Sequence, residues 1–570
     1  MKPEYQRRIY LLSFLVLLLS RVVAQGVTVT QNDSSVQLSN AVVSLQFNKH
    51  NADLNGIEFK GAQLLKGRNQ RAYLMAPDFN MSPSVFKIVR QTPDLIDISF
   101  YHEASNHFQY DLHYVLKTND AGVYCYLVQT HHTGDAPGNQ GQTRWGIRSD
   151  EALFDYHLVR DSIQGPMPKM TDLGEKLQDW TYKMPDGSVY TKYNYADYID
   201  GRYVHGMAGV QSGLGMFVIQ ASHEYLNGGP TKQYQNVHSN PFLINMFNCG
   251  HFLSDQRKGD NIITGEWLKL FGPFLLYFNS GKDINAIWAD AKQRAEKEKA
   301  QWPYAWMQNQ NYPLQRGSAK GVLLIDGKPA VGAHVILAQP GIDWQAQGSK
   351  YIYWTQTNSK GEFEIKNVRA DNYALYAYGC NSTDEFQQTN VTVDANKVTQ
   401  LGKLMWAPSK ACELLWQIGE ADRKTTGFQL SDHKRSYGLF DLPPADLKFI
   451  VNKNKESDWY YAQTKKGSWD IIFNTDKNYT KQSLLTIGIA GSAKNPLLEV
   501  WLNGTKIGAY HFGNDASVYR SAVAGGYYFK QSVNFPSSLL KKGENTISLK
   551  LPDVKEGGGI MYDVLKLEAN

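Results

Sequence analysis

Short runs of alternating apolar and polar residues recur along most of the chain and predict β-strands. Clear examples are residues 27–30, 95–101, 122–129 and 214–220, which are rich in β-branched and aromatic side chains. Most of these runs have Gly, Pro, Asn or Asp close by, and these residues favour turns. Many short strands separated by turn residues are typical of β-sandwiches and barrels. The pattern therefore predicts a mainly β fold.

One segment has a helical pattern instead, from about residue 283 to residue 301. Asp283 is a suitable N-cap, and Ile287 and Trp288 begin an apolar face. The end of the segment is rich in Lys and Glu, and Pro303 prevents the helix from continuing. We predict one clear helix here, after the first group of strands.

Further strand-like runs define two more β-rich units. Residues 321–325, 333–338 and 373–378 fall within about 90 residues, a length that suits a small sandwich of the fibronectin type III kind. Residues 484–489 and 545–551 belong to a third unit that extends to the end of the chain.

A chain of 570 residues is too long for one hydrophobic core, so several domains are expected. The sequence contains no low-complexity linker, and we therefore expect the domains to abut and to allow a site between them. In the third unit, Lys541-Lys-Gly-Glu-Asn-Thr precedes a strand, a pattern that is common in jelly-roll carbohydrate-binding modules. The predicted division is a signal peptide at residues 1–24, a large β-domain at 25–312, a fibronectin type III-like domain at 313–403 and a carbohydrate-binding-like domain at 404–570.

The first residues have the pattern of an export signal. Lys2, Arg7 and Arg8 precede an apolar run, and Val22-Val-Ala24 offers a small-residue cleavage site. The run of about twelve residues is too short to span a bilayer as a helix. We predict a secreted or periplasmic protein, and the alternative is an uncleaved membrane anchor.

Removal of this segment lowers the formal charge from +5 to +2, because residues 1–24 hold four cations and one acid. A nearly neutral protein of this size has no global field to capture nucleic acid. An anionic polymer would have to bind through local cations. We expect no nucleic-acid partner, no membrane span after signal cleavage and a monomer.

The four cysteines are far apart and lack the spacing of metal ligands. We predict buried free thiols or at most one disulfide, with three pairings open, and we expect no catalytic role. The cysteines are Cys125, Cys249, Cys380 and Cys412.

Arg144 and Arg148 lie four residues apart in a strand-like run. Side chains at this spacing point to one face of a strand, and two guanidinium groups side by side favour an anion near them. Arginine binds carboxylates through a planar set of donors. The alternative is an ordinary surface strand with scattered charge.

Lys192 is surrounded in sequence by Tyr190, Tyr193 and Tyr195. A lysine among aromatic rings and near other cations has a lowered pKa and serves as a base. The alternative is a surface lysine whose stem lies along aromatic rings.

His238 follows a Gly-Gly-Pro turn at residues 228–230, and histidine gives or takes a proton near neutral pH. The alternative is a structural histidine. His205, His223, His251 and Glu224 also occur near this region, but their spacings match no zinc pattern. We therefore expect that no cofactor is required, while a structural calcium ion stays open.

A glycoside hydrolase would need a pair of carboxyl groups at a fixed separation. Asp197, Asp200 and Glu224 are candidates, and nothing in the sequence singles out two of them. Two further hypotheses are a non-catalytic carbohydrate-binding protein and a mutarotase-like enzyme.

Several motifs occur in a fixed order along nearly the whole mature chain. The motifs are Arg144-x-x-x-Arg148, Tyr190-Thr-Lys-Tyr193, Gly228-Gly-Pro-x-Lys-Gln with His238 following, Arg316-Gly-Ser, Leu415-Trp-Gln-Ile-Gly-Glu-Ala-Asp-Arg, Asp458-Trp-Tyr-Tyr-Ala-Gln, Trp501-Leu-Asn-Gly and Met561-Tyr-Asp. In these motifs and their order the chain resembles polysaccharide lyase family 4, the rhamnogalacturonan endolyases.

The resemblance implies a large N-terminal β-sandwich related to galactose mutarotase, a fibronectin type III-like middle domain and a C-terminal β jelly roll. It also implies cleavage of the rhamnose-α-1,4-galacturonic acid bond of rhamnogalacturonan I, an acidic region of pectin, by β-elimination. Endo or exo action stays open.

By the same resemblance, Lys192 would abstract the proton and His238 would act as acid or orient the sugar, although the two roles are exchangeable. Arg144 and Arg148 would neutralise the carboxylate of the substrate. The remaining residues implied to bind substrate are Tyr190, Tyr193 and Lys232 in the first domain and Asn503 and Arg520 in the third.

Overall fold

The computed structural model describes residues 26–570 except 68, 77–79, 249–251, 253–261, 409–412, 521 and 523–524. The predicted signal peptide, Cys249, Cys412 and His251 lie outside the described residues. Cys125 and Cys380 are free thiols, of which only Cys125 is fully buried. Strands dominate the described chain, so the predicted mainly β fold is confirmed.

The first domain is a sandwich of two large antiparallel sheets. Its strands are β1 (Thr28–Gln31), β2 (Ser35–Ser39), β3 (Val43–Asn48), β4 (Leu54–Phe59), β5 (Ala62–Gln63), β6 (Ala72–Met75), β7 (Val85–Thr92), β8 (Leu95–Glu103), β9 (Gln109–Lys117), β10 (Gly122–His131), β11 (Gly138–Asn139), β12 (Arg144–Arg148), β13 (Tyr156–Arg160), β14 (Ile163–Pro166), β15 (Glu175–Gln178), β16 (Thr181–Lys183), β17 (Val189–Thr191), β18 (Ala196–Tyr198), β19 (Val204–Ala208), β20 (Leu214–Ile219), β21 (Gln233–Gln235), β22 (Val237–His238), β23 (Phe242–Met246), β24 (Ile262–Ile263) and β25 (Trp267–Ser280).

The order of the described strands in one sheet is β1-β2-β3-β4-β6-β12-β23-β22, with β5 paired to β4. The order in the other is β14-β13-β19-β20-β25-β10-β9-β8-β7. Trp145 of the first sheet packs on Phe274 of the second, with 5.2 Å between ring centroids. Because both sheets turn large apolar side chains inward, the core of the domain lies between them.

Three small sheets are formed by the segments of the first domain that connect its large strands. They consist of β15-β16-β17, β18-β21 and β11-β24. Single turns of 3₁₀ helix occur in all but the second domain, at Met170–Asp172, Lys192–Tyr195, Gly229–Thr231, Leu439–Asp441, Glu456–Asp458 and Ser537–Leu539.

The helix α1 (Ile284–Gln301) packs on the outer face of the second large sheet. The carboxylate of Asp283 accepts a hydrogen bond from the backbone amide of Ala286 at 2.8 Å, which caps the first turn. Ile287 and Trp288 are buried against the sheet. The predicted helix and its N-cap are confirmed.

The second domain is a smaller sandwich of two four-stranded sheets. Their described strands follow the orders β27-β26-β30, with β33 paired to β26, and β29-β28-β31-β32. The last strand extends three residues past the predicted boundary at residue 403. The strands are β26 (Gly317–Ile325), β27 (Lys328–Pro329), β28 (His334–Ala338), β29 (Tyr353–Gln356), β30 (Glu362–Val368), β31 (Asp371–Gly379), β32 (Ser382–Val393) and β33 (Val398–Trp406).

The third domain packs two five-stranded sheets around a core that includes Trp459 and Trp469. Their orders are β34-β43-β38-β41, with β36 paired to β43, and β35-β37-β42-β39-β40. The strands are β34 (Glu413–Ile418), β35 (Leu447–Ile450), β36 (Ala462–Gln463), β37 (Gly467–Thr475), β38 (Gln482–Ala493), β39 (Leu497–Leu502), β40 (Thr505–His511), β41 (Phe529–Pro536), β42 (Gly543–Leu551) and β43 (Gly559–Ala569).

The three domains contact one another directly, as the absence of a linker predicted. Glu224 of the first domain forms ion pairs with Arg316 and Arg369 at 2.6 and 3.0 Å, which join it to the second. The Tyr527 hydroxyl of the third domain donates to Asp343 of the second at 2.7 Å. Within the described residues, no helix has both the length and the apolar character needed to cross a membrane.

Candidate active site

The strand β12 places two arginines on one face, as their spacing predicted. Trp145 and Ile147 point into the core and are fully buried, so Arg144 and Arg148 lie on the opposite side. Gly146 lies between the arginines, and a Cβ atom at this position would come within 2.7 Å of Phe242 and Met75. The Phe242 ring fills that space and supports the guanidinium of Arg148 at 5.1 Å.

Lys192 is the first residue of the 3₁₀ turn that follows β17. The Thr191 side-chain oxygen accepts a hydrogen bond from the Tyr193 amide and contacts the Thr181 hydroxyl at 2.8 Å. The Lys192 amide donates to the Trp180 carbonyl at 3.0 Å. These bonds fix the backbone, and only 5% of the Lys192 side chain is exposed.

Asp179 is the direct partner of Lys192, and the sequence analysis did not identify it. Its carboxylate lies 2.5 Å from the Lys192 Nζ atom and accepts a hydrogen bond from the Tyr193 hydroxyl at 3.2 Å. A buried lysine requires an anion nearby. The sequence places Lys192 among aromatic residues, but it does not show which acid of the chain is its partner.

The charge of Lys192 is destabilised by its surroundings. Burial lowers the pKa of Lys192, the ion pair with Asp179 opposes this effect, and the positive charges of Arg144 and Arg520 lower it further, to about 8. A lysine with this pKa is partly neutral at slightly alkaline pH and is then able to accept a proton.

Arg520 brings the third domain to this cluster. Its guanidinium lies 4.6 Å from the centroid of the Tyr193 ring. The buried Asp515 carboxylate accepts hydrogen bonds from the amides of Ser492, Ser517 and Tyr527, on both sides of the turn that carries Arg520. These bonds fix Ser517 and Tyr527, on either side of Arg520 in sequence, within the third domain.

His238 lies at the end of β22, between aromatic rings. Its centroid is 4.5 Å from that of Trp180 and 5.0 Å from that of Phe242. The Nδ1 atom lies 2.6 Å from the Ser239 carbonyl, which only accepts, so Nδ1 carries the proton. Burial, helped by the charge of Lys192, holds the pKa of His238 well below its usual value. The ring is therefore neutral, and its Nε2 atom is an acceptor.

Two guanidinium groups near this cluster retain unused donors. The Nε atoms of Arg148 and Arg520 are buried and have no hydrogen-bond partner among the described residues. Arg148 also contributes its charge to His238, and Arg520 contributes to Lys192. Because buried donors are normally satisfied, these atoms favour an external acceptor such as a carboxylate.

Five predicted site residues therefore act on one another. Arg144 and Arg520 lower the pKa of Lys192, Lys192 and Arg148 lower the pKa of His238, and Arg520 also contacts the Tyr193 ring. Four cationic side chains and the single carboxylate of Asp179 make this region positive, although the whole protein is nearly neutral. The site therefore has the local cations that binding of an anionic polymer requires.

Three other predicted site residues lie elsewhere or are engaged in the fold. Tyr190 is buried, and its hydroxyl accepts a hydrogen bond from the Ser239 amide at 2.7 Å, which supports the backbone next to His238. Lys232 is buried with its amine 5.8 Å from the Tyr234 ring centroid. Asn503 lies in the turn after β39.

The side chain of Asn503 is used within its own domain. It donates to the Leu539 carbonyl and to Asn545, at 3.0 and 2.9 Å, and accepts from the Thr546 amide at 3.0 Å. Asn503 also has a φ of 49°, a left-handed conformation that asparagine tolerates in turns. These bonds hold the Asn503 side chain in its turn, and its predicted role in substrate binding stays a prediction.

The acids nominated for hydrolysis are all engaged in other contacts. Asp197 pairs with Arg202 at 2.8 Å, and Asp200 accepts from Trp354 at 2.8 Å. Glu224 lies between two arginines at the domain interface. No two of them form a free carboxyl pair. No cluster of three His, Cys, Asp or Glu residues suited to a metal ion occurs within the described part of the chain.

Comparisons with known proteins agree with this architecture. Residues 18–185 match the model of the rhamnogalacturonate lyase family, and residues 326–401 and 414–567 match domains II and III of polysaccharide lyase family 4. A rhamnogalacturonate lyase of Dickeya dadantii is 34% identical over 85% of this chain and 83% of its own. Rhamnogalacturonate lyase B of Emericella nidulans is 21% identical, over 96% and 98% of the two chains.

Likeness to solved structures is more distant. A candidate aldose 1-epimerase of Escherichia coli K12 matches along all of its length and 45% of this chain, at 11% identity and a TM-score of 0.27. A family 35 carbohydrate-binding module of Clostridium thermocellum matches along 70% of its length and 18% of this chain, at 17% identity and a TM-score of 0.14.

The three β-domains and the cation-rich site define a polysaccharide lyase, an enzyme that acts on acidic glycans. The identity and coverage of the Dickeya relative and the matched family models extend over most of the chain. The chain belongs to the rhamnogalacturonate lyase family.

Arg520→Ala should lower kcat/KM on rhamnogalacturonan I by about 10²–10³-fold, because removal of one donor to a developing negative charge typically has an effect of this size. Steady-state kinetics on the polymer would measure the change. Lys550→Ala is the matched control, because Lys550 is a cation of the same domain that lies over Trp501, away from this site. Equal activities of the two variants would exclude a role for Arg520.

Proposed function

We propose that the chain is an exported lyase that cleaves the rhamnose-α-1,4-galacturonic acid bond of rhamnogalacturonan I by β-elimination. The observation that carries the proposal is the buried Lys192 beside Arg144 and Arg520, because this environment lowers its pKa to about 8. The relatives are named as rhamnogalacturonate lyases, and this supports the choice of polymer.

The C5 proton of a galacturonate is only weakly acidic, because the adjacent carboxylate resists further negative charge. Guanidinium groups around the carboxylate remove this obstacle and stabilise the enolate-like intermediate. We assign this task to Arg144, Arg148 and Arg520. The unused Nε donors of Arg148 and Arg520 support the assignment.

Lys192 is the stronger candidate for the base. Its pKa lies far above that of His238, so its neutral amine is the better proton acceptor for a weak carbon acid. His238 is neutral with Nε2 as acceptor, which suits a hydrogen bond from a sugar hydroxyl. We therefore assign proton abstraction to Lys192 and orientation of the sugar to His238.

In the proposed reaction the C5–H bond breaks and its proton passes to Lys192. The electron pair forms the C4–C5 double bond, and the C4–O4 bond breaks with its electron pair on O4, which takes up a proton from water, while Lys192 returns its proton to solvent before the next turnover. No oxidant, metal or cofactor enters this balance, and we propose that none is required. Export rests on the signal pattern of the first 24 residues, and we retain a monomer as the working state.

The test is digestion of rhamnogalacturonan I while ultraviolet absorbance and reducing ends are followed together. A lyase product absorbs because its new double bond is conjugated with the carboxylate, so both signals should rise in equal amounts. Reducing ends without absorbance would indicate a hydrolase. Retention of the polymer with neither signal would indicate a binding protein, and either result would refute the proposed reaction.

A further inference from the structure

The carboxylate that contacts Lys192 belongs to a short, exposed hairpin. Asp179 lies in the turn between β15 and β16, and 58% of its side chain is exposed, against 5% for Lys192. The first three residues of β15 are exposed, and Gln178 is half-buried. Asp179 is therefore the accessible member of the pair, and the cation is the enclosed one.

Asp179 contacts the groups that a substrate carboxylate would use. It bonds to Lys192 Nζ and to the Tyr193 hydroxyl, and Arg520 stabilises its negative charge. An aspartate and a uronate present the same carboxylate to these groups. Two carboxylates at one cluster of cations repel each other, so both cannot occupy it at full charge.

We propose that Asp179 is a resident carboxylate that occupies the cation cluster of the free enzyme, and that the uronate of the polymer displaces it. Displacement has two effects. It replaces the negative charge that Arg520 stabilises by that of the substrate, and it releases the Lys192 amine from its ion pair, as a base requires. This inference rests on the proposed function, because it names the step by which that same site admits its substrate.

The hairpin also carries the residue that covers His238. Trp180 follows Asp179 directly, has a φ of 45° and places its ring 4.5 Å from the His238 ring centroid. A left-handed conformation is rare for a bulky residue, and such strain is found at sites that switch or clamp ligands. Movement of the turn would therefore uncover Lys192 and His238 together.

The groups that act on Lys192 come from several elements. Arg144 faces it from β12, His238 from β22, Arg520 from the third domain and Asp179 from the hairpin turn, while Tyr193 lies on its own turn. Of the charged groups among these, Asp179 is the one that favours the charged amine. Its removal should therefore move the protonation of Lys192 to lower pH, because the arginines and burial then act unopposed.

The test uses Asp179→Asn in the full-length enzyme, with galacturonic acid as the competing small carboxylate. Calorimetry should show that galacturonate binds the variant at least about fivefold more tightly than the wild type. Competitive acetylation of amines, read at Lys192 by mass spectrometry, should reach half of its maximum at a lower pH in the variant. Neither measurement requires turnover.

The kinetic counterpart is the pH profile of kcat/KM on rhamnogalacturonan I. For Asp179→Asn the acidic limb should move to lower pH and KM should fall. Asp186→Asn is the matched control, because Asp186 lies in the next turn of the same small sheet and bonds to Ser188 rather than to Lys192. Its profile should equal that of the wild type.

Unchanged galacturonate affinity and an unchanged labelling profile would overturn the proposal. A loss of kcat/KM at every pH would also overturn it, since Asp179 would then be a required part of the working site. Asp179→Ser is a second variant that removes the charge without an amide able to replace the bond. If the wild type forms no absorbing product, the proposed function fails, whereas binding and labelling still decide whether Asp179 competes with a carboxylate.

Discussion

Lys192→Met should lower kcat/KM on rhamnogalacturonan I by about 10²–10⁴-fold, the usual contribution of a positioned base. Methionine retains the length of the buried stem and removes the amine. In the wild type, kcat/KM should rise as the pH increases through about 8, because the amine must lose its proton before it can take one from the sugar. The variant should lack this rise. Formation of absorbing product measures both effects.

Lys183→Met is the control for this experiment, because Lys183 is an exposed lysine on β16 of the same small sheet. Circular dichroism and thermal unfolding should show that both variants retain the fold. If Lys192→Met kept more than a tenth of the wild-type kcat/KM, another group would have to be the base, and His238 would be the first candidate.

Glu224→Gln should give the largest loss of stability among the changes considered, about 3–5 kcal/mol. The Glu224 carboxylate is 1% exposed and is held by Arg316 and Arg369 at the interface of the first two domains. The Tyr353 hydroxyl donates to it at 3.0 Å. Glutamine would leave two buried guanidinium groups without their counter-charge. Thermal unfolding should show a midpoint lowered by at least about 6 °C.

The same carboxylate gives the stability a defined pH dependence. The two arginines outweigh burial and hold the pKa of Glu224 below its usual value of 4.5. Its contribution is therefore fully present above the unfolded-state pKa and is lost as the pH falls through the lower, folded-state pKa. The difference in midpoint between wild type and Glu224→Gln should shrink in that acidic range.

Asp394→Asn is the matched control, because Asp394 and Lys397 form an exposed ion pair in the second domain. Such pairs contribute about 0–1 kcal/mol, so its midpoint should stay close to that of the wild type. Similar midpoints for Glu224→Gln and the control would contradict the importance of the buried charge cluster.

Local patterns predicted the elements of the fold well. The alternation at residues 95–101 and 122–129 corresponds to β8 and β10, and the Asp283 cap begins the only α-helix of the described chain. The spacing of Arg144 and Arg148 predicted a shared face, since side-chain direction in a strand repeats every two residues. These features depend on neighbours in sequence, which are visible without the structure.

The rest of the site depends on contacts between distant segments. Asp179 is an exposed acid in a hairpin, and only the folded sheet β15-β16-β17 brings it to Lys192. The resemblance implies that Tyr190 binds substrate, which stays a prediction, and the structure adds that its hydroxyl accepts a hydrogen bond from the Ser239 amide. Asn503 was predicted from the motif Trp501-Leu-Asn-Gly, and its side-chain amide donates a hydrogen bond to Asn545. A motif identifies a residue type, whereas its partners decide what that residue does.

The contacts between the first and third domains limit whether the third domain of this enzyme can be exchanged for another. The Gln233 side chain of the first domain donates to the carbonyl of Gly525, which is close in sequence to Arg520, and accepts from Arg435, which is elsewhere in the third domain. Replacement of the third domain would remove Arg520 from the Lys192 cluster and leave the Gln233 side chain without these two partners, so the proposed chemistry depends on this particular third domain.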